Sequence, residues 1–437
     1  MAQRTLISQR KAIGPNQARR GRLVGVRPLF ILIAAAAAAF SWQQPAWPQF
    51  GGPGGDFRTH DAAIGTSWPE SPAVRWSRPL GEGFSGIAVA GDRLFTMYRR
   101  ESQEIVAALS VADGRTIWEH ADTAAPHADQ DFSQGPGPHA TPLVVDGTVC
   151  AAGATARLRC LDAASGRLLW MRDLVADHGA TVVYRGYSSS PIAHGPAIIV
   201  QAGGEGRAVM AFERATGKPL WSSGNHRNTN SSPALITFDG MPQVVAFMAD
   251  VVAGFDAATG AELWTHPHPQ RFDDNIARPI VAANGVLVLT SALDGGTRGL
   301  RVSRQDGAWR AEQVWHQTRV GVYYTNVVRA GDLVIASSGG LGPTIFSALD
   351  PATGAIVWQT RDVLRSHILV VGDRLLVVRD EMGGLSLATF DRDGVKVVAT
   401  AALFAEGAPS PASLAGTMLY ARDRAKIVAV DLSASRP

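Results

Sequence analysis

The sequence predicts an all-β fold: an eight-bladed β-propeller of four-stranded antiparallel blades. Three observations predict it. First, one ten-residue phrase recurs, as "LDAASGRLLW" (161–170), "FERATGKPLW" (212–221), "FDAATGAELW" (255–264) and "LDPATGAIVW" (349–358). Second, the tryptophans that close the repeat, Trp118, Trp170, Trp221, Trp264, Trp315 and Trp358, are spaced 52, 51, 43, 51 and 43 residues apart. A repeat of about 40 to 50 residues built of short strands is the signature of propeller blades. Third, 46 glycines and 25 prolines beside 7% aromatics suit many strands and turns rather than long helices.

The chain opens on a basic leader. Residues 1–41 hold six Arg, one Lys and no acid, so the remainder carries 34 basic against 38 acidic residues, net −4, although the whole chain of 437 residues is formally +3. That subtraction removes any nucleic-acid footprint. "LFILIAAAAAAF" (29–40) is twelve apolar residues, below the roughly 20 that span a bilayer, and fits the apolar region of a signal peptide. Ala39 and Ser41 occupy the small-residue positions for cleavage after Ser41. The expected mature protein is periplasmic or secreted, with no transmembrane helix. Arg19 and Arg20 leave both the general secretory and the twin-arginine routes open. An uncleaved anchor helix is the alternative. Residues 42–72 read as an N-terminal extension and 73–437 as the propeller.

Each residue of the repeated phrase has a local task. An apolar residue ends one strand and the Asp side chain bonds the backbone two residues on. The Gly supplies the positive φ with which a type I turn closes into a bulge. A second short strand then ends in Trp, a flat apolar plate with one polar handle. Upstream of each phrase, alternating strands flank a Gly, as in "AVAGDRLFTMY" (88–98) and "VVRAGDLVIASS" (327–338). Six blades carry the tryptophans. A degenerate seventh covers 367–399, with Val397 or Val398 in the Trp place. The eighth, 410–432, stops after three strands, and "AVRWSRPL" (73–80), bearing Trp76, supplies the fourth. Closing a ring from both termini removes the exposed sheet edges. About 50 residues per blade leave no second domain, and the ring is expected to be monomeric.

Cys150 and Cys160 are the two cysteines of the chain. Counting outward from a turn near Thr155 sets them opposite each other on adjacent strands, either bridged or as two small buried residues. A second pattern lies at the start of the innermost strands. Aligned on a recurring Pro, the preceding column reads Ser85, Thr141, Ser190, Ser232, Arg278, Thr325, Ser366 and Ser410. Crowding at the axis explains the seven small hydroxyls. Arg278 is expected to point into the funnel as the anion-recognising group, with Tyr324 and His367 beside it and His139 on the loop 121–140. The alternative pairs Arg278 with Asp273 or Asp274 as a brace for its own loop.

The phrase A-L-D-x-x-T-G-x-x-x-W resembles the repeat of pyrroloquinoline-quinone-like β-propellers. This group includes quinoprotein alcohol dehydrogenases and the lipoprotein propeller of the outer-membrane barrel-assembly machinery. The opening "WPQFGGPGGDFRT" (47–59), followed by "SWPESPAVRWSRPLGEGFS" (67–85), is similar to that of secreted propellers of the group. The resemblance covers about 47–432, and three functional readings compete. A quinone-dependent dehydrogenase would stack its cofactor on a vicinal disulfide and bind calcium through Glu, Asn and Asp, with an Asp as base. The chain has no vicinal cysteines and no C-x-x-C-H for a haem acceptor, and Asp273, Asp274 and Asn275 are its weak candidates for a hard cation. A scaffold would bind an envelope protein or peptide through the loops 121–140 and 175–190. An enzyme acting on a polysaccharide would place acid–base groups such as His139, His226 and His367 in the funnel. The reading favoured is the non-catalytic envelope scaffold, with no catalytic residue and no cofactor, and pyrroloquinoline quinone with calcium as the alternative.

Overall fold

The computed structural model describes residues 46–433 apart from 60–62, 67, 69–72, 134, 273, 293, 340–341, 381 and 409. The leader and Asp273 lie outside the described residues. Eight sheets form the ring, each with four antiparallel strands. Seven blades are continuous in sequence. The eighth is composite: Ala73–Pro79 pairs antiparallel with Lys426–Asp431 and so closes the ring from the two ends of the chain.

The repeated phrase folds as its chemistry dictates. The Asp256 carboxylate accepts the amides of Ala258 and Thr259, and Asp350 accepts those of Ala352 and Thr353. Gly166, Gly217, Gly260 and Gly354 take φ of 69–76°, the left-handed conformation that costs glycine little. The outer strand pair of every blade carries a bulge beside the Trp position.

What the phrase builds is a joint between blades. The ring of Trp76 lies over Gly114, Trp118 over Gly166, Trp170 over Gly217, Trp221 over Gly260 and Trp315 over Gly354, each glycine belonging to the turn of the next blade. A Cβ at any of them would sit 2.4–2.6 Å from the indole. Indole N–H groups complete the joint, donating to carbonyls of that turn: Trp118 to Ala163 and Trp170 to Arg214. Across its own strand pair each Trp faces a small residue, among them Ala108, Cys160, Ala211, Gly254, Gly299 and Ala348. Blade 5 has a long hairpin, Gly296–Gln305 and Ala308–Gln317, instead of the phrase. Trp264, facing it, turns its N–H to Gln243 of its own blade.

Blade 7 corrects one expectation. The bulge skips Val398, so the register puts Ala399, opposite Leu387, in the Trp place, and Val397 and Val398 are partly exposed. Large and small have exchanged strands, which conserves volume in the sheet interface. In blade 2, Cys150 and Cys160 are direct cross-strand partners, fully buried and joined by a disulfide.

The segment 46–59 is not an appendage. Trp47 bridges Val89 on the innermost strand of blade 1, Pro48 accepts the Val144 amide of blade 2, and Arg58–Thr59 pairs in parallel with Val370 and Val371 of blade 7. The segment thus lies across the channel, inside the innermost strands. Its turn "GGPGG" is closed by Phe57 N donating to the Gly51 carbonyl at 2.7 Å, and Trp47 and Phe57 are 2% and 1% exposed. Residues 46–59 form a floor to the channel.

Candidate functional site

Above this floor the loops that lead into the innermost strands surround a cavity of about 1070 Å³. The hydroxyl column at its base has a structural task beyond relieving crowding. Ser85 donates to the Ala140 carbonyl, Ser410 to Phe84, the Thr141 amide to Ser190, and the Ser190 amide to Ser232. Each of these bonds ties one blade to its neighbour. They satisfy buried backbone groups where the inner strands converge and sheet pairing cannot reach.

Arg278 interrupts the belt at blade 5. It lines the cavity, is 5% exposed, and donates from Nη1 to the carbonyl of Phe50 in the floor segment at 2.8 Å. Gly55 packs on it so closely that a Cβ there would meet Nη1 at 2.6 Å. Burial lowers the Arg278 pKa to about 10, against the opposing attraction of Asp56. Asp274, one of the two carboxylates of the alternative brace, is engaged elsewhere: it accepts from Asn230 Nδ2 at 2.8 Å and from the Tyr323 hydroxyl at 2.6 Å. Burial and this bond both push the Tyr323 hydroxyl up.

Those bonds belong to an arc that crosses five blades. Ser188 donates to Asn230, Asn230 to Asp274, and Tyr323 to Asp274 again. The Tyr323 and Tyr324 rings are 4.0 Å apart, the Arg365 guanidinium lies 5.7 Å over Tyr324, and Arg365 Nε donates to Asp380 at 2.6 Å. His367 is 2% exposed at the inner wall of the same side, while the Tyr324 ring is 43% exposed. On the other side Arg185 pairs with Asp131 at 2.8 Å. There His139 stacks on Phe84 at 5.3 Å, and Arg424 lies 5.1 Å over Phe84. His226, outside the cavity lining, bonds Glu262 at 3.0 Å. The floor segment, with Phe50 in the lining, and the Ser188–Asn230–Asp274 chain were not read from the sequence. Their one sequence signal is the glycine-rich run 51–55.

Burial drops the His139 pKa to about 4, opposed by its bond to the Arg185 carbonyl. In the unfolded chain a His binds its proton near pH 6.5. The unfolded state therefore holds the extra proton between about pH 6.5 and 4, and stability falls as pH drops through that window. Denaturation midpoints at pH 7.5 and 5.0 should differ less in His139→Gln than in the parent chain; equal differences would show that His139 carries none of the effect.

Residues 102–360 match the family described as outer membrane protein assembly factor BamB. The chain belongs to this family. Curated relatives are dehydrogenase subunits named alcohol dehydrogenase (quinone). That of Komagataeibacter europaeus is 27% identical over 53% of this chain and 34% of its own, and that of Acetobacter aceti is 28% identical over 51% and 32%. The chain spans about a third of the length of these relatives. Among solved structures, BamB of Moraxella catarrhalis superposes with a TM-score of 0.56 at 17% identity, over 81% of this chain and 98% of that one. The quinohemoprotein alcohol dehydrogenase of Comamonas testosteroni gives 0.60 at 12% identity, over 90% and 81%. At these identities the likeness is one of fold.

The sequence offered no vicinal disulfide for a quinone, and of its three candidates for a hard cation the structure describes Asp274 and Asn275. The disulfide lies inside the blade 2 sheet, away from the funnel lining. Asn275 is fully buried and gives its Nδ2 to the carbonyls of Met248 and Ala249, and Asp274 is spent in the arc. Among the described residues no group of three or more His, Cys, Asp or Glu is placed to hold a metal ion.

Proposed function

We propose that this chain is an extracytoplasmic, non-catalytic propeller whose funnel face binds a segment of a cell-envelope partner. The observation that carries this reading is the arc from Ser188 to Asp380. Its polar side chains are satisfied by one another, so they form a fixed, preorganised wall rather than a set of poised acid–base groups. Exposed aromatic side chains stand on the same loops: Tyr184 is 58% exposed and Phe272 62%. Aromatic anchors of this kind supply contact area at low entropic cost. The family description as an outer membrane assembly factor agrees with an envelope partner, and the leader with export. Among the described residues no helix is long and apolar enough to cross a membrane.

The second reading, a quinone-dependent dehydrogenase, is favoured by the curated relatives. With pyrroloquinoline quinone, calcium and a primary alcohol, dye reduction is expected to stay at the level of heat-killed protein, and turnover above it would overturn the binding reading. A photo-crosslinking residue at Phe272 is expected to trap a discrete envelope protein that the same residue at Leu220, exposed on an outer strand, does not. Identical adducts from both positions would also count against it.

A further inference from the structure

We infer that the funnel floor is a receptor for a single carboxylate, with Arg278 as its reading group; this deepens the binding reading and rests on it. The argument starts from an unbalanced charge. Arg278 is 95% removed from solvent, since its exposure is 5%. A buried cation is costly unless paired. Of the five N–H groups of a guanidinium, one is bonded, to the neutral Phe50 carbonyl, and Nε has no hydrogen-bond partner. Asp56 attracts it but makes its ion pair with Arg58, at 3.8 Å. A brace for the floor segment would need a donor; it would not need a charge.

The neighbours narrow the ligand. Arg185 and Arg365 are already matched by Asp131 and Asp380. The lining as a whole holds five carboxylates against four guanidiniums. A dianionic phosphate would meet a wall in which carboxylates outnumber guanidiniums and in which Arg185 and Arg365 are already neutralised. A monoanionic carboxylate matches one guanidinium in charge and in planar geometry. Its carrier must be thin enough to reach a floor enclosed by loops, which fits either the C-terminus of an extended chain or a free organic acid. The floor itself is supplied by Phe50 and Gly55, so the N-terminal segment is a wall of the site.

Native mass spectrometry of the purified protein tests this with three probes: a randomised pentapeptide pool ending in free carboxylates, the same pool as C-terminal amides, and benzoate. The acid pool, or benzoate if the source is a small acid, is expected to occupy the protein at least tenfold more than the amide pool. In Arg278→Gln the excess should vanish while amide occupancy is unchanged. If that variant does not fold, Arg278→Lys is read instead, with the acid preference cut at least fivefold by loss of the planar fork. Equal occupancy by acids and amides, no occupancy by any of the three probes, or an undiminished preference in the variant overturns the inference. Alcohol turnover in the dye assay would overturn the binding reading separately, whatever the acid–amide ratio.

Discussion

Replacing Glu104 by alanine is expected to destabilise the ring by about 3–5 kcal/mol, the range for removing one partner of a buried ion pair. Glu104 is 1% exposed and stands between blades 1 and 2. Its Oε1 accepts the Ala154 amide at 2.8 Å and Arg99 Nη2 at 3.4 Å, and its Oε2 lies 3.6 Å from Nη1 of the fully buried Arg159. Arg159 also bonds Asp122, which His120 approaches at 3.3 Å. Alanine would leave Arg159 with half of its countercharge and the Ala154 N–H without its acceptor. Glu104→Gln keeps the shape and the acceptor and should cost less. Urea denaturation midpoints decide this. A shift in Glu104→Ala no larger than in the exposed Glu101→Ala would show that the network contributes nothing.

The blade count, the composite eighth blade and the cross-strand cysteines were legible because each follows from a local period. Strand, turn, bulge and Trp recur whatever the rest of the chain does. What was not legible needed a partner far away in sequence. The Trp of one blade and the Gly of the next are two halves of a joint, but in the sequence both appear as parts of the same phrase, so the joint is read as a hairpin. In blade 7, counting residues without the bulge put the Trp position at Val397 or Val398 instead of Ala399. The hydroxyl column was readable as a column, but its blade-to-blade bonds run to backbone groups that carry no sequence signature. Arg278 stood out as the exception within that column. Its partner, the Phe50 carbonyl, is 228 residues away, in a glycine-rich run that reads as a loose extension and folds as the floor.

Trp170→Ala is expected to cost about 3–5 kcal/mol, the range for deleting a large buried aromatic, and to loosen two blades rather than one. The ring is 5% exposed and rests on Gly217, and its N–H donates to the Arg214 carbonyl at 2.7 Å. Truncation therefore leaves a cavity in blade 2 and removes the donor on which the turn of blade 3 depends. The converse change, Gly217→Val, attacks the same joint from the other side. Its Cβ would lie 2.5 Å from the indole, and φ of 69° at that position is unfavourable for a β-branched residue. If the phrase recurs because it makes interblade joints, amide exchange should accelerate in both 157–173 and 209–223 in either variant, while the distant strands of blade 6 keep their protection. Trp264→Ala separates this from a plain loss of core volume. Trp264 is as buried as Trp170 and shares a core cluster with Leu300 and Val302 of blade 5, but its N–H bonds Gln243 within its own blade, so in Trp264→Ala exchange in 296–317 should accelerate less than exchange in 209–223 does in Trp170→Ala. Exchange that accelerates only within blade 2 in Trp170→Ala would reduce the phrase to a hairpin signal.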